Sequence, residues 1–111
     1  MKKGAIWMAD LPEGQGHEQK GQRPVIVMGS ANGLVTVIPL TSNTDKAVFS
    51  HTEVIEPAPR ENGLSTDSVA LVFQLTSIDK KRLQRRIGDA SKEDMKKVDA
   101  LVADLLGLAR S

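Results

Sequence analysis

The sequence predicts an α+β domain: a small barrel made from a strongly bent, mostly antiparallel sheet and one C-terminal α-helix. Three observations favour this class. Short apolar runs separated by turn residues fill the first three-quarters of the 111 residues. Asn32-Gly33 is typical of a two-residue hairpin turn, and the last quarter has apolar residues at helical spacing. No repeat or linker divides the sequence, so we expect one domain over residues 1–111.

The first three strands are predicted around that hairpin. Residues 4–11 form a strand, and residues 12–22, rich in glycine and polar side chains, form a loop. Residues 24–28 form the second strand, whose leading proline suits a strand start. Residues 29–33 then turn the chain into the third strand, residues 34–40.

The middle of the chain predicts further strands and a short helical turn. Residues 51–55 and the buried run 68–75 are strands, and the proline-containing segment 57–62 is the turn between them. Residues 79–86 predict one helical turn, after which residues 86–89 return to a short strand.

The C-terminal helix has the clearest signals. Ser91 suits the N-cap, and Asp94 three residues later resembles a capping box and favours the helix dipole. Gly107 stands where a C-terminal cap is expected. Apolar residues follow one helical face between these caps: Met95, Val98, Leu101, Val102, Leu105 and Leu106.

Composition excludes several classes of protein. The chain has no cysteine, which excludes disulfides, thiol nucleophiles and zinc-finger sites. Its apolar stretches are far shorter than the ~20 residues of a membrane span. Asp10 and Glu13 interrupt any apolar secretion core near the start. We therefore expect a cytoplasmic protein that does not enter a membrane.

Charge and aromatic content restrict nucleic-acid binding to a local surface. The 15 basic and 14 acidic residues leave a net charge of +1, which argues against tight, salt-driven binding to duplex DNA. The three aromatic residues, Trp7, Phe49 and Phe73, are too few for a reader that stacks bases on aromatic platforms. Positive charge gathered in one groove remains compatible with this composition.

Neither a phosphate loop nor a metal site is predicted. Gly16-His17-Glu18-Gln19-Lys20-Gly21 has the glycine spacing of a P-loop, but Gln22-Arg23 stands where Lys-Ser/Thr must follow, and a strand comes next. The histidine–glutamate pair in that segment, and His51 with Glu53, form no helical zinc-binding pair. We expect no cofactor and no metal.

A basic run covers residues 80–86, with five cations in seven positions. The simpler interpretation is a solvated helical face with Leu83 packed inward. The alternative is a surface for RNA or for an acidic partner.

Arg23 and Thr41 form the most suggestive pair. They flank the predicted hairpin, and an antiparallel pair sets the start of one strand beside the end of its partner. An arginine fork and a hydroxyl at one sheet edge suit an RNA phosphodiester, since arginine stays charged as negative charge builds in the transition state. On spacing alone, a surface ion pair of Arg23 and a turn-capping Thr41 is the simpler alternative.

Several blocks in order along nearly the whole chain carry a family resemblance. The most specific is Gly16-His17-Glu18-Gln19 with Gly21-Gln22-Arg23-Pro24-Val25. The others are Gly4-Ala5-Ile6-Trp7 before Asp10-Leu11, Ile38-Pro39-Leu40-Thr41-Ser42, Gly63-Leu64, Asp67-Ser68-Val69-Ala70-Leu71, Gln74, Ile78-Asp79-Lys80, Arg82-Leu83 and the helix over residues 91–108. With these blocks the chain resembles the MazF/PemK (Kid) family of toxin endoribonucleases, the mRNA interferases of type II toxin–antitoxin modules.

The resemblance implies a fold, a reaction and partners. The expected fold is an SH3-like barrel that pairs into a homodimer, for which we expect an apolar face near Trp7. The expected reaction is metal-independent cleavage of single-stranded RNA, in which the ribose 2′-hydroxyl attacks the adjacent phosphate to leave a 2′,3′-cyclic phosphate and a 5′-hydroxyl. The expected partner is a cognate antitoxin whose acidic, disordered segment folds across the groove that contains Arg23.

The resemblance also implies roles for individual residues. The family's essential arginine maps onto Arg23, which would stabilise the phosphorane, and its active-site threonine or serine maps onto Thr41, which would orient a phosphate oxygen. His17 and Glu18 are the candidates for the acid/base group. The expected RNA contacts are Gln19, Ser42 and Gln74.

The chain departs from many relatives at three positions, and this keeps an alternative open. Leu71, Phe73 and Thr76 stand where relatives carry an arginine, an acidic residue and a basic residue. The alternative is a catalytically weakened or non-enzymatic member that binds a protein target, as the CcdB gyrase poisons do. Those proteins end in Trp-Gly-Ile and lack the arginine–threonine pair, whereas this chain ends in Leu108-Ala109-Arg110-Ser111.

Overall fold

The computed structural model describes residues 1–12 and 21–108. Three short 3-10 helices, at Thr44–Val48, Val72–Gln74 and Lys80–Arg82, connect its strands. The longer elements are β1 (Ala5–Leu11), β2 (Gly21–Ala31), β3 (Leu34–Thr41), β4 (Thr52–Ile55), β5 (Ser68–Leu71), β6 (Thr76–Asp79), β7 (Leu83–Asp89) and the helix α1 (Lys92–Leu105). His17, Glu18 and Gln19 lie outside the described residues, as does most of the predicted loop over residues 12–22.

The strands form one bent antiparallel sheet, which confirms the predicted fold class. The strand order is β4-β5-β3-β2-β1-β7, and β6 also pairs with β3. Strands β4 and β7 occupy the two edges of this order, so the barrel-like sheet is open between them. A single helix, α1, follows the last strand in the described part of the chain.

Only two residues, Asn32 and Gly33, form the turn of the β2–β3 hairpin. Asn32 and Gly33 have φ angles of 54° and 82°, the left-handed pair that a type I′ hairpin turn requires. The predicted turn over residues 29–33 was too long, because β2 continues to Ala31 and pairs there with Leu34. An irregularity between Val27 and Gly29 shifts the register once along this ladder.

Both faces of the central strands are buried, which explains their nearly continuous apolar sequences. Ile6, Ile26 and Ile38 face one another across β1, β2 and β3 and form a row on one face. Helix α1 covers this row with Val98 and the partly buried side chains of Met95, Leu101, Val102 and Leu105. The other face buries a second cluster of Ala9, Leu11, Val25, Val27, Val35, Val37 and Ile78.

The predicted strand over residues 68–75 is interrupted. Thr41 faces Val69 and Val37 faces Thr76, so the chain opposite β3 contains three residues more than β3 does between these pairs. The 3-10 helix Val72–Gln74 holds the extra residues. Val72 stays buried while the backbone N–H of Phe73 donates to the carbonyl of His51 at 3.2 Å, away from β3.

The predicted helical turn over residues 79–86 is also too long. Only Lys80–Arg82 is helical, and β7 begins at Leu83. Arg85 and Arg86 pair with Met8 and Trp7 of β1, so hydrogen bonding to a distant strand extends a segment whose local sequence favours a helix.

Both predicted ends of the C-terminal helix are confirmed. The side chain of Ser91 accepts a hydrogen bond from the backbone N–H of Asp94 at 3.0 Å. Gly107 has a φ of 68° and its N–H donates to Asp104, while the N–H of Leu108 donates to Ala103. These two bonds form a Schellman motif. No helix in the described part of the chain is long and apolar enough to cross a membrane.

A buried asparagine organises the segment between β4 and β5. The Asn62 Oδ1 atom accepts hydrogen bonds from the backbone N–H groups of Ala58 at 3.1 Å and Leu64 at 2.9 Å. Its Nδ2 atom donates to the carbonyl of Glu56 at 3.1 Å. Because Asn62 is only 3% exposed, these bonds supply the partners that water would otherwise provide.

This segment crosses β7 at a point where both backbones need glycine. A Cβ atom on Gly63 would overlap the backbone of Ile87, and one on Gly88 would overlap the backbone of Asn62. The N–H of Asp89 also donates to the carbonyl of Glu61 at 2.8 Å. The crossing therefore fixes the distance between β7 and the segment that leads into β5.

Replacing Gly63 by alanine should lower the free energy of unfolding by about 2–3 kcal/mol, since the new Cβ meets a backbone and φ is 76°. The matched control is Gly29→Ala, because Gly29 has an ordinary φ and open space around its Cβ position. Urea unfolding at one fixed protein concentration measures the free energy of unfolding of both variants. Equal stability of the two variants would contradict the close crossing.

Candidate active site

A groove of about 380 Å³ lies where the start of β2, the end of β3 and the middle of β7 come together. The segment over residues 63–68 forms its remaining wall. The glycine crossing described above therefore also fixes the width of this groove. Arg23 and Thr41 both line it, as the hairpin geometry predicted.

Arg23 reaches across the hairpin from the first residues of β2. The register Val25 opposite Pro39 sets the start of β2 beside the end of β3. The Nη1 atom of Arg23 donates to the carbonyl of Leu40 at 3.2 Å. This bond holds the half-buried guanidinium at the groove, where its planar, permanently charged fork faces any bound ligand.

Thr41 is the last residue of β3 and is only 6% exposed. Its Oγ1 accepts a hydrogen bond from the backbone N–H of Asn43 at 3.1 Å, and the Asn43 side chain in turn caps the first 3-10 helix. Thr41 thus stabilises a turn, as the simpler interpretation of the sequence holds, and it also lines the groove. Because the Asn43 N–H occupies a lone pair of Thr41 Oγ1, the Thr41 hydroxyl hydrogen can be donated to a ligand oxygen.

The groove favours an anion. Arg23 and Arg85 are its charged lining residues, and no acidic residue is among the described residues that line it. Hydroxyl side chains complete the wall at Ser42, Ser65 and Thr66. Two guanidinium groups, with no carboxylate among the described residues that line the groove, create a positive local potential in a chain whose net charge is only +1.

The residues expected to contact RNA are divided between two places. Ser42 lines the groove with Arg23 and Thr41. Gln74 instead lines a separate cavity of about 400 Å³ beside Phe49 and Phe73, whose rings meet edge to face at 5.8 Å. Gln19 and the acid/base candidates His17 and Glu18 lie outside the described residues.

The departures at Leu71, Phe73 and Thr76 do not touch the groove. Leu71 is fully buried in β5, and Phe73 faces the cavity beside Gln74. Thr76 lies in β6, where it pairs with Val37. None of the three is among the residues that line the groove around Arg23.

Arg85 and the hydroxyls at Ser65 and Thr66 were not expected at the site. The sequence assigned Arg85 to a helical face, although Leu83, Arg85 and Ile87 alternate as residues on one face of a strand do. That alternation is the sequence signal that could have placed Arg85 on the face of a strand. Ser65 and Thr66 reach the groove because their segment crosses β7, which no local pattern indicates.

The exposed apolar residues lie away from the first strand. Trp7, near which an apolar face was expected, is half-buried and packs against the second core cluster. Large exposed side chains instead include Phe49, 50% exposed, and Phe73, 41% exposed.

His51 and Glu53, considered above as a possible metal-binding pair, have different partners in the structure. His51 Nε2 lies 2.8 Å from Asp104 Oδ2 in the last turns of α1, while Glu53 lies 4.0 Å from Lys97. Within residues 1–12 and 21–108, no three histidine or acidic side chains are grouped to hold a metal ion.

Comparisons with known proteins agree with this geometry. Residues 2–106 match the family described as PemK-like, MazF-like toxin of type II toxin–antitoxin system. The chain is 33% identical over 114 residues to the endoribonuclease MazF of Staphylococcus saprophyticus, a match that covers 97% of this chain and 92% of that protein.

Solved structures give the same assignment. MazF from Deinococcus radiodurans is 25% identical with a TM-score of 0.77, and the match covers 96% of both chains. A MazE–MazF structure from the same organism is 26% identical with a TM-score of 0.69, covering 97% of both chains. The family match spans nearly the whole chain, and the sheet, the helix and the arginine–threonine groove accompany it. The chain therefore belongs to the PemK-like, MazF-like toxin family of type II toxin–antitoxin systems.

Proposed function

We propose that this protein is a toxin endoribonuclease that cleaves single-stranded mRNA in the cytoplasm without a metal ion. The observation that carries the proposal is the convergence of Arg23 and Thr41 in a groove whose described lining contains no carboxylate. The endoribonuclease activity of the Staphylococcus saprophyticus relative supports the choice of substrate.

In the proposed reaction the ribose 2′-oxygen attacks the adjacent phosphorus and the bond from phosphorus to the 5′-oxygen breaks. The products are a 2′,3′-cyclic phosphate and a 5′-hydroxyl. Arg23 remains protonated and stabilises the extra negative charge of the phosphorane through its N–H donors. Thr41 donates its hydroxyl hydrogen to a non-bridging phosphate oxygen and so orients the phosphate for attack along the line of the breaking bond.

Two proton transfers complete the reaction. The 2′-hydroxyl loses a proton to a general base, and the departing 5′-oxygen gains one. His17 and Glu18 remain the proposed acid/base residues, and histidine suits both transfers because its ordinary pKa is close to neutrality. Gln19, Ser42 and Gln74 remain the proposed RNA contacts. A requirement for the 2′-hydroxyl explains why DNA would not be cut.

Replacing Arg23 by alanine should lower the cleavage rate at least about 100-fold, because a donor aimed at the transition-state charge is lost. The wild type and Arg23→Ala are incubated with a long single-stranded RNA in excess EDTA, and the ends are mapped chemically. We expect discrete cuts with 2′,3′-cyclic phosphates from the wild type only.

Arg60→Ala is the control, since Arg60 is exposed and is not among the residues lining the groove. RNA left intact by the wild type would contradict the proposed enzyme. In that case, toxicity in cells that Arg23→Ala does not reduce would favour the alternative, an inhibitor that acts by binding a protein such as gyrase.

We further propose that a cognate antitoxin inhibits the protein by laying an acidic segment across this groove. A groove with two arginines, and with no carboxylate in the part of its lining that the structure describes, complements such a segment. The same contact would exclude RNA. The MazE–MazF structure from Deinococcus radiodurans supports a partner of this kind.

A stoichiometric complex with the product of a neighbouring gene should therefore have no measurable RNA cleavage. Adding NaCl at fixed protein concentration should weaken the complex, because the contact between opposite charges is screened. Cleavage by the complex at the rate of the free protein would contradict inhibition at the groove.

We also propose that the protein is a homodimer that buries the patch formed by Phe49 and Phe73. These rings are exposed in one chain although they contact each other. A domain of this size gains stability when a second subunit covers such apolar surface.

Phe49→Asp should convert the dimer to a monomer at micromolar concentration, because the charged carboxylate would have to be desolvated at the interface. Leu34→Asp is the matched control, since Leu34 is 48% exposed but lies at the β2–β3 hairpin turn. Light scattering after size-exclusion chromatography measures the mass. A monomeric wild type, or an unchanged dimer in Phe49→Asp, would contradict this interface.

A further inference from the structure

Arg85 occupies the wall of the groove opposite Thr41's strand and has no role in the reaction described above. It pairs with Met8 of β1, and Met8 pairs on its other side with Pro24 of β2. Directly opposed residues project from the same face of an antiparallel sheet. Two strand spacings, roughly 10 Å, therefore separate the backbone of Arg85 from that of Pro24, the neighbour of Arg23.

Arg85 differs from the other two arginines of its basic run. Arg82 lies 3.8 Å from the carboxylate of Asp10 and also donates to the Asp10 carbonyl at 3.3 Å. Arg86 forms an ion pair with Asp89. Arg85 is exposed and makes no side-chain hydrogen bond or ion pair with another described residue. Its guanidinium thus keeps all of its donors for a ligand in the groove.

We propose that Arg85 binds a second phosphate of the RNA strand, next to the phosphate that Arg23 and Thr41 hold. This inference rests on the proposed endoribonuclease function. An arginine fork matches the oxygens of a phosphate, and a single strand presents phosphates at regular intervals along the groove. Ser65 and Thr66 line the same groove, where their hydroxyls can form hydrogen bonds with phosphate or ribose oxygens.

Because Arg85 lies away from the reacting phosphate, its role is to bind the RNA strand and to fix the position of the strand along the groove. The bonds that form and break lie at the Arg23 phosphate, so the contact made by Arg85 is the same in the ground state and in the transition state. Such uniform binding lowers KM without changing kcat.

The test compares Arg85→Ala with Arg86→Ala, a neighbouring arginine that is paired with Asp89 and does not line the groove. The first readout is binding of a 2′-O-methyl RNA oligonucleotide, which lacks the attacking hydroxyl. The slope of log affinity against log salt concentration should fall in magnitude by about 0.7 for Arg85→Ala, the loss expected for one phosphate contact on a single strand. Arg86→Ala should keep the wild-type slope, and Arg85→Lys should recover it.

The second readout is cleavage of unmodified RNA, where Arg85→Ala should raise KM about tenfold and change kcat less than about threefold. Equal salt slopes in Arg85→Ala and Arg86→Ala would overturn the proposal. A weaker affinity of Arg85→Ala for an oligoglutamate peptide but not for RNA would also overturn it, in favour of an acidic protein ligand. If the wild type binds RNA with an Arg85-dependent slope but cuts none, the second phosphate site stands and the proposed catalytic function fails.

Discussion

The pairing of β2 with β1 on one side and β3 on the other is the constraint on which the rest of the structure depends. The row Ile6, Ile26 and Ile38 crosses all three strands and lies under helix α1. A shift of one residue in either ladder would move these isoleucines from the cluster under α1 to the opposite cluster, so the packing of the two clusters fixes the register. The same register sets Arg23 beside the end of β3, and the position of the guanidinium is a consequence of core packing.

Two polar side chains of the groove, Arg23 and Thr41, are held by bonds that satisfy the backbone. Arg23 donates to the Leu40 carbonyl, and Thr41 accepts from the N–H of Asn43. Asn62 satisfies three backbone groups and thereby shapes the wall opposite. These hydrogen bonds satisfy buried polar groups. Those of Arg23 and Thr41 also restrict two side chains that line the groove. The ordering of Arg23 and Thr41 therefore accompanies folding and does not require a ligand.

The charge of the groove differs from the charge of the chain. Fifteen basic and fourteen acidic residues nearly cancel, yet the described lining of the groove holds arginine and no carboxylate. Two other arginines near the groove strand have carboxylate partners outside the groove, Arg82 with Asp10 and Arg86 with Asp89. Pairing at the periphery leaves a focused positive potential at one place. Such a groove is electrostatically complementary to a polyanion, a property that an RNA strand and an acidic protein segment share.

The sequence by itself determined the elements whose signals are local: the two-residue hairpin at Asn32-Gly33, the helix between Ser91 and Gly107, and the proximity of Arg23 and Thr41 that follows from the hairpin. Only the tertiary structure decided the rest. Pairing with β1 made a strand of the second half of the basic run, from Leu83 onward, and placed Arg85 at the groove. A 3-10 helix placed Gln74 at another cavity. The physical reason is distance along the chain. Strand pairing joins residues far apart in sequence, and its hydrogen bonds and burial outweigh the local preferences from which a sequence is interpreted.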